Sequence, residues 1–181
     1  MTIVERAKKF ATAAHASIGQ VRKYTFEPYI VHPAEVVRIV MSVPHSEAML
    51  AAAWLHDTVE DTPVTIEEIY AEFGEEVGEL VGWLTDVSCK EDGNRAVRKA
   101  IDREHTAAAP AEAQTVKLAD LISNSRSILE HDTDFAAVYL AEKALLLDVL
   151  TKGDPTLHAQ ATEILKQGQE ALLQLALSGD E

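Results

Sequence analysis

The chain has 181 residues, of which 47% are hydrophobic and 25% charged; that is enough to fold as one domain burying about 70% of its unfolded surface, and it argues against disorder. Thirty Asp and Glu against sixteen Lys and Arg leave a net charge of -14, which opposes adhesion to nucleic acid or to an anionic membrane. The single cysteine, Cys89, cannot close an intrachain disulfide; the N-terminal string MTIVERAKKFATAAHASIG lacks a signal peptide's apolar run, and no segment reaches the roughly 20 apolar residues of a membrane span, so a cytoplasmic protein is expected.

Apolar residues recur with helical spacing along nearly the whole chain, and no segment alternates with period two for long, so an all-α fold is predicted. Ile3, Ala7, Phe10 and Ala14 share one face of a first helix. Pro33 suits the first position of a second, running to about Val43 before Pro44. Ser46 can cap a third helix, Glu47 to about Val59, whose stretch MLAAAWL is apolar all round and therefore central. Thr65 and Glu68 form a capping box for a short helix ended by Gly74, and a fifth helix follows to about Leu84. Residues 88–94 read as a loop, Arg95 to Ala107 as a charged helix, and Glu112–Leu129, Asp134–Leu150 and Pro155–Leu177 as the remaining helices. Residues 1–150 are expected to form the core, with 151–181 as a C-terminal helix packed on it.

Charge is unevenly spread. Residues 1–38 carry Arg6, Lys8, Lys9, Arg22, Lys23 and Arg38 against Glu5, Glu27 and Glu35, a local net of +3. Between Met41 and Cys89 there is no Lys or Arg, yet eleven carboxylates fall from Glu47 to Asp86. A basic segment facing an acidic one suits an anionic substrate held beside a metal, although solvated helix faces are the plainer account. In the string WLHDTVEDT, a continuous helix would stack His56 near Glu60 and Asp57 near Asp61, crowding four ionisable groups at one end of a buried helix. Burying them unpaired would cost several kcal/mol, which a divalent cation would offset; a hydrogen-bonded core histidine beside surface acids is the alternative. His32, just before Pro33, reads by itself as an N-cap or packing residue. Lys117, Asp120, Asn124 and Ser127 form a polar stripe beside the apolar face of their helix, either a buried hydrogen-bond network or part of a site.

Together these pieces resemble the HD superfamily of metal-dependent phosphohydrolases. More narrowly, the chain is similar to the small alarmone hydrolases, free-standing counterparts of the hydrolase domain of RelA/SpoT homologues. The strings HASIGQVRK, EPYIVHPAEV, AAAWLHDTVEDT, TIEEIYAEFGEEV and VKLADLISN carry the resemblance, in the family's order and spacing, over residues 1 to about 130. The resemblance implies an all-α HD-domain bundle that removes the 3′-pyrophosphate of (p)ppGpp with manganese. It makes His32, His56, Asp57 and Asp120 the metal ligands and Glu60 and Asp61 the catalytic acids. Arg22 and Lys23 become phosphate contacts, and Asn124 and Ser127 nucleotide contacts, with Arg98, Lys99 and Arg103 available to add positive charge. A small-molecule nucleotide is the implied partner, and the length leaves no room for a synthetase domain after the helical tail. The chain departs from the family at Tyr24, Thr25 and Phe26, where a small residue and Gly are usual, and at Leu121 and Ser123. These departures imply weaker or shifted guanine recognition, with Phe26 as an apolar wall against a purine. An adenosine alarmone or an NADPH-like nucleotide is the alternative substrate, and a non-catalytic nucleotide sensor the alternative function.

Overall fold

The structure is a computed structural model that describes residues 1–178. Thr2 and Glu5 form a reciprocal capping box that opens α1 (Ile3–Ser17). A tight loop with one isolated bridge, Val21 to Pro28, leads into α2 (Val31–Val40). This helix begins two residues before Pro33 and ends at Val40, short of the predicted Val43. His32 therefore lies inside its first turn and is not a cap, and Ile30, which stands at the cap position, makes no side-chain cap bond.

Ser46 caps α3 (Glu47–Leu55) through the Met49 amide. The predicted continuation to Val59 does not occur: the chain turns at His56 and Asp57 and resumes as α4 (Thr58–Asp61). The cause is local competition for carbonyls. The Thr58 hydroxyl donates to Leu55 O at 2.6 Å and the His56 ring to Ala53 O at 2.8 Å, side-chain bonds of the kind that bend or end helices. The capping box of Thr65 and Glu68 opens α5 (Ile66–Phe73) as predicted, and Gly74, at φ 83°, separates it from α6 (Glu75–Leu84). A single 3-10 turn, Lys90–Asp92, interrupts the predicted loop. Then follow α7 (Arg95–Ala108), α8 (Ala111–His131), α9 (Thr133–Leu147) and α10 (Pro155–Ser178). Residues 179–181, which belong to the predicted tail, lie outside the described residues.

The fold is all-α, and among the described residues no β-strand forms. As its all-round apolar surface demands, α3 runs through the centre and touches α1, α2, α6 and α8. Its Ala51, Ala52, Ala53 and Leu55 are fully buried, the alanines allowing close approach on several sides. The last helix shares this core, laying Leu157, Ala161 and Leu165 against α8 and α9. Contact there is close: a Cβ on Gly168 would stand 2.8 Å from Leu129 Cδ2, and one on Gly153 2.6 Å from Leu118 Cδ1. The α3–α4 joint, the start of α2 and the middle of α8 converge behind a cavity whose far wall is α7 and α9.

Candidate active site

His32, His56, Asp57 and Asp120 meet at this convergence. His56 Nε2 stands 3.0 Å from Asp57 Oδ2 and 3.7 Å from Asp120 Oδ1; His32 Nε2 stands 3.1 Å from Asp120 Oδ1 and 3.6 Å from Asp57 Oδ2. Each ring is aimed from behind. His56 Nδ1 donates to Ala53 O. His32 Nδ1 lies 3.0 Å from Ser123 Oγ, whose hydroxyl donates to Glu35 Oε2 at 2.9 Å. Because Ser123 gives its proton to the carboxylate, it accepts from His32 Nδ1–H, and the Nε2 atoms of both rings are left facing the two acids. The carboxylates are oriented too: the Tyr29 hydroxyl donates to Asp57 Oδ2 at 2.6 Å and Asn124 Nδ2 to Asp120 Oδ1 at 2.7 Å.

The electrostatics follow from this crowding. Burial opposes ionisation of Asp57 and Asp120, but the neighbouring imidazoles outweigh it and hold both carboxyls well below the usual range. Burial likewise opposes charge on His56, yet Asp57 and Asp120 raise it well above its ordinary value. Lys117, 3.7 Å from Asp120, is held protonated by Asp120, Asp86 and Glu60 despite its burial.

The donor set suits a divalent cation. Ligand atoms of His32, His56 and Asp57 all lie within 4.8 Å of one another, and His56 Nε2 is buried with no well-directed hydrogen-bond partner. Two imidazoles with two carboxylates are mixed N/O ligation, which a transition cation such as manganese, iron or zinc accepts.

Glu60 and Asp61, on α4, stand beside the cluster and face the cavity. Its volume is about 700 Å³, and Tyr29, Asp57, Asp120 and Asn124 also line it. The backbone N–H of Asp86 donates to Glu60. The Glu60 side chain is open to the cavity, but the surrounding protein mass, together with the Asp86 carboxylate, pushes its pKa up to about 7. Asp61 is raised by burial and accepts a bond of 2.8 Å from Gln20 Nε2. The far wall carries Arg95, Lys99 and Arg103 from α7 and Lys143 from α9, of which Arg95 pairs with Glu142 and Lys99 with Asp86, while Lys117 from α8 stands on the cluster's own side beside Asp120. Burial and the nearby Lys117 charge lower Lys143 to about 8.

Of the charged helix, then, Lys99 and Arg103 face the cavity, whereas Arg98 does not line it. Nor do Arg22 and Lys23 reach it. They line a smaller cavity of about 360 Å³ with Ser127, and the two cavities share Tyr29 and Asn124. Lys23 is already engaged: its ammonium lies 2.9 Å from Asp132, and the Tyr24 hydroxyl donates to the same carboxylate at 2.7 Å. The basic N-terminal segment is spent elsewhere as well, Arg6 pairing with Glu72 and Lys8 lying over the Trp54 ring. The expected change in base recognition loses its basis. Phe26 is 77% exposed in a left-handed conformation (φ 59°) and lines neither cavity, Leu121 is in the core, and Ser123 is buried behind His32. Sequence reading missed Arg95, Lys143 and Asp86. Lys143 leaves one trace in the sequence, as the only cation of the largely apolar helix α9.

Residues 7–147 match the family model described as the HD domain. The chain belongs to the HD domain family. Over 129 residues, 71% of its length, this HD protein is 39% identical to a Mycobacterium leprae protein named "Probable GTP pyrophosphokinase". Over another 129-residue match, 70% of the chain, it is 38% identical to a Synechocystis protein named "Probable guanosine-3′,5′-bis(diphosphate) 3′-pyrophosphohydrolase". The chain spans only 16% and 17% of the length of these two relatives. A solved structure titled "A metazoan ortholog of SpoT hydrolyzes ppGpp and plays a role in starvation responses" superposes with a TM-score of 0.81. It is 28% identical, with 92% of this chain and 96% of that one covered.

Proposed function

We propose that this HD protein is a metal-dependent 3′-pyrophosphohydrolase of (p)ppGpp-like alarmones, with His32, His56, Asp57 and Asp120 as ligands of one cation, physiologically manganese. The observation that carries the reading is a single cavity with a buried two-imidazole, two-carboxylate cluster and two further acids, Glu60 and Asp61, at one end, with Lys117 beside the cluster and four cations on the far wall. The near full-length likeness to a ppGpp-hydrolysing structure supports it. Residues 1–150 would form the catalytic core and the segment from 151 to 178 a tail packed on it, and the single, exposed Cys89 suits a reducing cytoplasm.

When bound, the cation supplies charge that acidifies a water and stabilises the attacked phosphate. Glu60 and Asp61 orient the attacking water and take its proton. Water adds to the phosphorus esterified to the 3′-oxygen, that P–O bond breaks, pyrophosphate leaves, and the 3′-oxygen takes up the proton to become a hydroxyl. Tyr29 and Asn124 hold the ligand carboxylates in place while Lys99, Arg103, Lys117 and Lys143 hold the substrate's negative charges, which on a chain of net charge -14 need local cations. Arg22, Lys23 and Ser127 serve the nucleoside end in the smaller cavity, Lys23 after exchange from Asp132.

Incubating manganese-loaded protein with ppGpp, its adenosine counterpart and NADPH, and identifying the products, tests the reading. Pyrophosphate release from ppGpp is expected; phosphate release from NADPH alone would move the substrate, and no turnover of any of the three would leave a sensor. Glu60→Gln and Asp61→Asn should keep one ion per chain and lose about 10²- to 10⁴-fold in kcat. His56→Ala and Asp120→Ala should lose the ion itself, and full metal content in either would remove that ligand.

A further inference from the structure

The mechanism leaves His15 unused. It sits in the last turn of α1, 1% exposed, with its ring packed on Tyr29 at 4.7 Å between centroids. Its Nδ1 lies 2.6 Å from Gln20 Oε1, and Gln20 Nε2 donates to Asp61 Oδ2 at 2.8 Å. The directions are forced: a carboxylate only accepts, so the Gln20 amide nitrogen faces Asp61 and its oxygen must accept from His15 Nδ1–H. The glutamine is pinned through its backbone as well, its N–H bonded to His15 O and its carbonyl to Tyr29 N–H, each at 3.1 Å.

Packing alone does not account for a histidine here. His15 Nε2 is buried with no hydrogen-bond partner, an arrangement that costs about 1–3 kcal/mol. A leucine or phenylalanine would fill the space without that cost. What the imidazole adds is the Nδ1–H bond to Gln20, and the one group that bond serves is the Asp61 carboxylate.

We infer that His15 and Gln20 are positioning residues, a relay from the end of α1 that fixes the Asp61 carboxylate toward the reacting water. Asp61 stands on a helix of four residues, Thr58–Asp61, too short to hold a side chain by itself. The relay ties it to α1, which packs along α3. It parallels the Ser123–Glu35 pair behind His32, with an amide in place of a hydroxyl. The inference rests on the proposed role of Asp61 in turnover.

A double-mutant cycle tests it, with Gln20→Leu, Asp61→Asn and the pair together assayed on ppGpp with manganese. Gln20→Leu should lower kcat about tenfold, with KM and metal content unchanged, because misaimed groups lose rate rather than binding. In the Asp61→Asn background it should cost nothing further. Full kcat in Gln20→Leu, additive losses, or loss of the ion would each overturn the relay. His15→Phe, which keeps a flat ring on Tyr29 and removes the donor, should match Gln20→Leu, whereas His15→Gln, which restores a donor, should recover part of the rate. A readout independent of turnover separates this inference from the functional reading. In proton–nitrogen spectra of metal-free protein, His15→Phe and Asp61→Asn should each shift the Gln20 side-chain NH₂ resonance. Absence of both shifts overturns the relay, while wild-type protein inert toward ppGpp but showing both shifts overturns only the proposed reaction.

Discussion

Asp86 acts on Glu60 in two opposed ways. Its backbone N–H donates to the Glu60 carboxylate, which favours the charged form, while its own side chain repels that charge. Burial opposes the ionisation of Asp86, but Lys117 and Lys99, the latter at 2.8 Å, hold it below its ordinary value, so the repulsion persists at neutral pH. Asp86→Asn keeps the amide bond and removes the charge, so the Glu60 pKa, now about 7, should fall. Where Glu60 works as the carboxylate, the acidic limb of the kcat–pH profile should move to lower pH; a limb in the same place would show that another group sets it. Ser123 carries a second lesson at this scale. As a departure from the family's pattern it reads as a lost substrate contact, yet it sits behind His32 and fixes that ring. A residue's place along the chain does not tell whether its side chain faces the cavity or the back of another group in the same site.

Most helices were legible because their signals are local. The Thr65–Glu68 box, the Ser46 cap and Gly74 act within four residues of themselves, and each stands where it was expected. The break at His56–Asp57 was not legible: the apolar spacing of α3 runs on, and the interruption depends on Thr58 and His56 side chains finding carbonyls one turn back. That break matters to the site, since consecutive residues of a continuous helix point about 100° apart, whereas here both reach the same cluster. The cationic wall was legible only in part: Lys99 and Arg103 belong to a helix whose charge is plain in the sequence, but Arg95 and Lys143 join them only where α7 and α9 meet in the fold. Helix packing gives its own prediction. The Cβ of Gly153→Ala would stand 2.6 Å from Leu118 Cδ1 and 3.2 Å from Gln114 backbone, so the variant should lose about 1–3 kcal/mol by overpacking. Urea unfolding measures this, and unchanged stability would mean that the α9–α10 connection yields.

The molecule as a whole depends on how its buried charges are balanced. Without a cation, His56 stays protonated between two acids. Its pKa is raised on folding, so its contribution is present in full below its ordinary value of 6.5 and is lost as pH climbs through the higher folded value. Asp57 and Asp120 are depressed and contribute above about 4, losing their share only in acid. Chelated protein should therefore become less stable as pH rises above neutrality, when His56 loses the charge that offsets the two carboxylates. Manganese should remove that decline and add about 2.7 kcal/mol at a hundredfold excess over its Kd. Melting curves with and without chelator from pH 6 to 9 check both, and parallel curves would mean that the acids are balanced by something other than His56.

The two cavities have Tyr29 and Asn124 in common, and these same two side chains hold Asp57 and Asp120. A nucleoside that draws on either side chain from the smaller compartment must alter how the carboxylates grip the ion, and thermodynamic reciprocity then requires the ion to alter the nucleoside's affinity by the same factor. Guanosine 5′-diphosphate, which has no 3′-phosphate to bring to the ion, therefore serves as a reporter. Its dissociation constant should differ between chelated and manganese-loaded protein, and the manganese constant should differ by an equal ratio with and without it. Equal constants would mean that the shared wall carries no message between the compartments.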